Sequence, residues 1–83
     1  MDEPTITEAI MALIDERGEG RTACPSEVAR RLAPDDWRPL MPAIRAVAAD
    51  LADRGWLVVS QGGQPIDRRH ARGPVRLGLP VRG

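Results

Sequence analysis

Eight glycines and eight prolines punctuate a chain of 83 residues, and their positions decide how far any helix can run. Proline removes a backbone donor and clashes with the preceding turn, while glycine supplies the left-handed residue at which helices end. Ahead of Gly18, Ile6, Ile10, Leu13 and Ile14 fall at i, i+4, i+7 and i+8, one apolar helical stripe. Thr5-Ile6-Thr7-Glu8 fits a capping box with Thr5 as N-cap, so a first helix is expected over about Thr5 to Arg17. Cys24-Pro25-Ser26-Glu27 opens a second, with proline at the first helical position and Glu27 complementing the helix dipole. Val28 and Leu32 share its face, and Pro34 closes it. Asp35 and Asp36 offer N-caps for a third helical region. Pro42 divides that region into a short turn, Asp36 to Leu40, and a main helix, about Pro42 to Arg54, ended by Gly55. Ile44, Val47, Ala48 and Leu51 form its buried stripe, with Arg45, Ala46, Ala49, Asp50 and Asp53 outward.

Strand signals come next. Trp56-Leu57-Val58-Val59-Ser60 is rich in β-formers, and Val75 to Leu79 alternates with period two. Arg21-Thr22-Ala23 has room for a single-bridge strand only. Fourteen residues from Gln61 to Pro74 hold three Gly, two Pro, three Arg and the sole His. Helix, short strand, helix, helix, strand, long loop, strand is the order of a winged helix-turn-helix. The expectation is therefore an α+β fold with a three-helix core and a β-hairpin wing. It forms one domain over 5–79 with tails 1–4 and 80–83. Leu57, Val59, Val75, Leu77 and Leu79 would close the core against Ile10, Ile14, Val28 and Leu51. With only two aromatic residues, Trp37 and Trp56, that core is aliphatic. A chain this small has about a few kcal/mol of stability and little room for a pocket of about 300 Å³ or more. Both facts favour a binding module over an enzyme.

Twelve arginines balance twelve acids, and lysine is absent. The balance is uneven along the chain. Met1 to Asp36 carries nine acids against four Arg, and Trp37 to Gly83 three acids against eight Arg. A polarised chain can present a basic face at zero net charge, although pairing between the halves would cancel it. The single cysteine excludes an internal disulfide and a cysteine-based zinc finger. With an acidic N-terminus and no apolar run near the roughly 18 residues of a membrane span, the chain is expected to be cytoplasmic, without a signal peptide.

Three blocks of sequence, Cys24-Pro25-Ser26-Glu27-Val28-Ala29-Arg30, Trp37-Arg38-Pro39-Leu40-Met41 with Arg45, and Ala71-Arg72-Gly73-Pro74-Val75-Arg76-Leu77, resemble a family of small bacterial proteins of unknown function. The resemblance spans roughly Ile6 to Leu79. It implies a winged-helix fold and, since the family has no assigned activity, no catalytic residue.

DNA binding is the first functional expectation, with transcriptional regulation as its context. In the helix-turn-helix mode the second helix of the pair enters the major groove, which puts the helix from Pro42 there and Arg45 at a base edge or phosphate. Arg30 and Arg38, near the turn, would hold the backbone. Arg68, Arg69, His70 and Arg72 would bring wing cations to phosphates or a minor groove. Asp50, Asp53 and three alanines on the same helix oppose specific readout. The competing expectation is a protein-interaction module without DNA binding, using the Ala43, Ala46 and Ala49 face or self-association. A thiol chemistry of Cys24 with His70 as base is a weaker third; packing and N-capping explain Cys24, and solvation explains His70. Trp37 is expected to pack over the helix junction and Trp56 to bury one face, each with base stacking as the alternative. Asp35-Asp36 lacks a second ligand cluster, and Gly62-Gly63 lacks a following helix, so the first is a cap and the second a turn. No metal or cofactor is expected.

Overall fold

The computed structural model describes residues 2–66 and 74–80. Among them, three α-helices pack on one antiparallel sheet of four short strands. In chain order these are α1 (Glu3–Arg17), β1 (Thr22–Ala23), α2 (Pro25–Leu32), a 3₁₀ turn (Arg38–Leu40), α3 (Met41–Asp53), β2 (Val58–Gln61), β3 (Gln64–Pro65) and β4 (Arg76–Gly78). No helix among the described residues is long and apolar enough to cross a membrane.

The apolar stripe of α1 is placed as expected, with Ile6, Ile10, Leu13 and Ile14 all buried. Its start is not. Asp2, extended at φ −80° and ψ 162°, is the N-cap, and its carboxylate accepts from the Thr5 N–H at 3.1 Å. Asp outranks Thr as a cap, and Pro4 sits in the first turn, where no backbone donor is needed. Thr5 is therefore inside the helix. The hydrogen bonds from Thr5 also hold the Asp2 carboxyl below its usual value.

The main helix α3 begins one residue before Pro42, so the proline occupies the first turn. Ile44, Val47, Ala48 and Leu51 are buried as expected. Ala49 was expected to face outward but is only 5% exposed. Ala49 lines a cavity with Val59, Val75 and Leu77 of the sheet side, a neighbour that helical periodicity does not encode.

Strand order is β1-β4-β2-β3, all antiparallel. In β4, Leu77 stands opposite Ala23 on one side and Val59 on the other, and all three are buried. They form the inward layer that period-two alternation dictates. Gly78 lies between Thr22 and Val58. A Cβ there would meet Thr22 Cγ2 at 3.3 Å and the Arg21 carbonyl at 3.4 Å, a tight fit that the glycine avoids.

The connection after β2 differs from the single long loop expected. Gly62 and Gly63, at φ 60° and 81°, form a two-residue turn. Positive φ at both centres is the type I′ requirement. The turn folds Gln64–Pro65 back on β2, with Gln61 opposite Gln64 and Ser60 opposite Pro65. The Ile66 N–H then donates to Val59 O at 3.0 Å. Residues 67–73 lie outside the described residues. Trp56 also departs from expectation. The strand starts at Val58, and Trp56, 53% exposed, is the exposed large hydrophobic residue among those described.

The core joins α1, α2, α3 and the inner sheet face. Ile14 is fully buried within it, so Ile14→Val is expected to lower the unfolding free energy by about 0.5–1.5 kcal/mol. Urea denaturation measures this, and an unchanged midpoint would show that Ile14 is not a tightly packed core position.

Candidate nucleic-acid interface

Among the eight described arginines, Arg17, Arg31, Arg54 and Arg76 make ion pairs or hydrogen bonds that tie the molecule together. Arg17, in the last turn of α1, pairs with Glu27 in the first turn of α2. The other Glu27 oxygen accepts from the Cys24 N–H at 3.1 Å, so a single carboxylate caps α2 and ties it to α1. That backbone donor is the main reason the Glu27 carboxyl lies below its ordinary value. Partial burial opposes the effect, and Arg17 and Arg76 add to it. Arg31 pairs bidentately with Glu16, the longer contact being 3.2 Å, and that bonding holds Glu16 below its usual range as well. Arg76 donates to the hydroxyl and carbonyl of Thr22 at 2.9 and 3.1 Å, fastening β4 to β1. Arg54 pairs with Asp50 one turn back at 3.2 Å. The pairs Arg17–Glu27, Arg31–Glu16 and Arg54–Asp50 each stay within one half of the chain, so they leave the difference in charge between the halves as it was.

Arg30 and Arg38 are placed differently. Arg30 projects from the last turn of α2, where a cation also suits the helix dipole. Arg38 opens the 3₁₀ turn. Their guanidinium carbons lie 4.6 and 4.8 Å from the centroid of one ring, that of Trp37. Both arginines are exposed, and neither pairs with a carboxylate among the described residues. Trp37 is half-buried and packs against the core, as its place at the helix junction suggested. That it carries both arginines was missed. The available signal was the adjacency Trp37-Arg38, with Arg30 in the last turn of the preceding helix.

Arg45, expected on the outward side of α3, stands beside the sheet. It is half-buried and lines a cavity of about 250 Å³ with Pro25, Ala48, Ala49, Val59 and Leu77. Ala49, one turn along α3, lines the same cavity. The exposed positions of α3 are Pro42, Ala43, Ala46 and Asp53, none with a long neutral polar side chain. Arg68, Arg69 and Arg72, together with His70 and Asp67, lie outside the described residues. Cys24 is half-buried, with its sulfur accepting from Ser26 Oγ at 3.2 Å. Among the described residues no group of three or more His, Cys, Asp or Glu side chains could hold a metal ion.

Residues 3–80 match the family model described as "Protein of unknown function (DUF3253)". The chain belongs to the DUF3253 family. No curated protein matches it. The family description carries no activity, so the function of this DUF3253 chain has to be argued from its own side chains.

The depressed Glu27 carboxyl makes a directional prediction. A group whose folded pKa is lowered contributes stability above its unfolded pKa and loses it as pH falls through the folded one. Wild type is therefore expected to exceed Glu27→Gln in stability near neutral pH, with the gap closing as pH drops below the ordinary glutamate range. Thermal melts of both proteins from pH 7 to pH 3 measure this, and a gap independent of pH would contradict the assignment.

Proposed function

We propose that this DUF3253 chain is a winged-helix module that docks on the backbone of duplex DNA, as a non-enzymatic, cytoplasmic regulator. The element order supports the winged-helix reading. So does the sheet, in which β1 pairs with β4 and β4 with β2, leaving the β2-to-β4 connection as the wing. One observation carries the docking. Arg30 and Arg38 remain exposed and unmatched by described carboxylates, as does Arg21 just before β1, while Arg17, Arg31 and Arg54 are taken up by ion pairs. Of the three exposed ones, only Arg30 and Arg38 share the helix junction. In a helix-turn-helix the first helix of the pair crosses the phosphate backbone and the second enters the groove. Arg30, at the end of α2, and Arg38, just before α3, stand at the junction between them. The wing arginines 68, 69 and 72 and the half-buried Arg45 complete the proposed cationic set.

Phosphate contacts position a protein without reading sequence. The exposed α3 positions, Pro42, Ala43, Ala46 and Asp53, lack the Arg, Asn or Gln forks that distinguish base edges. The expected behaviour is therefore strong salt dependence with little sequence preference. If all six arginines meet phosphates, log affinity falls with log salt at a slope of up to about −5. Anisotropy titrations of random duplex DNA at several salt concentrations test this, and the triple substitution Arg68→Ala, Arg69→Ala, Arg72→Ala is expected to flatten the slope by about 3. Affinity no tighter than about micromolar at low salt, with no slope, would sink the proposal.

A protein-interaction role is the second reading. It is favoured by exposed Ala43 and Ala46 beside a groove of about 300 Å³ shared with Glu3, Ile6 and Val47. Light scattering and a nuclease-treated pull-down separate the two. A partner retained after nuclease, with no DNA affinity, selects the second.

A further inference from the structure

We infer that Trp37 is a positioning residue that holds Arg30 and Arg38 as a paired guanidinium clamp for phosphate, with the phosphodiester backbone as occupant. The identity of the occupant rests on the docking reading above; the clamp itself does not.

Two guanidinium ions close together repel, and a free arginine side chain loses rotamer entropy when it is fixed. Both obstacles are reduced here before any ligand arrives. The negative face of an indole attracts a cation within about 6 Å of its centroid, and both arginines meet that distance on the same ring. The ring is itself held. Trp37 caps the 3₁₀ turn, its carbonyl accepts from the Leu40 N–H at 3.0 Å, and its side chain packs against the core. Stacking engages the flat face of a guanidinium and leaves its N–H edge for a bidentate bond to phosphate. Asp35 and Asp36 stand exposed on the same connection, without an ion pair among the described residues. Their charge disfavours a lone phosphate, so the clamp suits a polyanion that is also held elsewhere.

The test uses the full chain carrying Trp56→Phe, which leaves Trp37 as the single indole. Its emission is followed during titration with random duplex DNA and, separately, with inorganic polyphosphate, and labelled-DNA anisotropy gives affinities for every variant. Saturable perturbation of Trp37 by DNA is expected, with the salt slope reduced by about one in Arg30→Ala and again in Arg38→Ala. Trp37→Leu, with both arginines retained, is expected to bind DNA about two- to fivefold more weakly. Trp37→Phe, which keeps an aromatic face, should recover part of that loss.

DNA binding with an unchanged slope in both arginine variants, or with Trp37→Leu equal to wild type, would overturn the clamp and leave the docking reading standing. Perturbation of Trp37 by polyphosphate alone, dependent on Arg30 and Arg38, would keep the clamp and overturn the docking. Silence toward both polyanions would overturn both. Circular dichroism checks the fold of each variant, and if Trp37→Leu does not fold, the two exposed arginine variants decide.

Discussion

Closure of an aliphatic core by β4 is the constraint on which the remaining structure depends. Three helices carrying isoleucine, leucine, valine and alanine leave one side of their shared interior open. Leu77, flanked by Ala23 and Val59, covers that side together with Val75. β1 pairs along β4, where the absent side chain of Gly78 eases its close approach and Arg76 bonds Thr22. The short link from β1 then delivers the chain directly into α2. Glu27 fixes the start of that helix twice, by accepting from the Cys24 N–H and by pairing with Arg17. The junction between α2 and α3, where Arg30, Trp37 and Arg38 meet, inherits its position from these contacts.

The same packing sorts the arginines. Those beside a neighbouring element with a carboxylate, Arg17 and Arg31, bond across α1 and α2. Arg54 finds Asp50 one turn earlier on its own helix. Arg30 and Arg38 flank a connection that carries Asp35, Asp36 and Trp37, and both guanidiniums lie over the ring without an ion pair to either carboxylate. An exposed ion pair contributes at most about 1 kcal/mol, so this sorting matters less for stability than for which charges remain available to a partner. Zero net charge is therefore a poor guide to the surface.

Local signals carried most of the element boundaries. The proline and glutamate of α2 placed it over Pro25–Leu32 as expected, and Gly62-Gly63 marked a turn. The failures share a cause. Thr5 satisfied a capping pattern, but Asp2 stood upstream of a proline that tolerates the first turn. Ala49 was assigned outward by helical phase, yet it is buried at a cavity shared with Val59, Val75 and Leu77 of the sheet side. The Gly62-Gly63 turn was recognised, while the pairing of β3 that it produces was not, because Gln64-Pro65 has no strand signature of its own. In the candidate site, Arg30 and Arg38 were identifiable as cations near a turn. Their common platform was not, because a contact between α2 and the following turn has no sequence periodicity.

By itself the sequence determined where the helices end, where α2 begins, most of the apolar faces, that the core is aliphatic, and that the acidic and basic excesses fall in opposite halves. These follow from backbone chemistry and side-chain spacing over a few residues. Tertiary structure alone decided which strand seals the core, which side of α3 is covered, and which arginines are taken up by carboxylates. Those outcomes depend on distances between segments far apart in the chain. Arg76 and Thr22, bonded at 2.9 Å across 54 residues, are an example that no local pattern specifies.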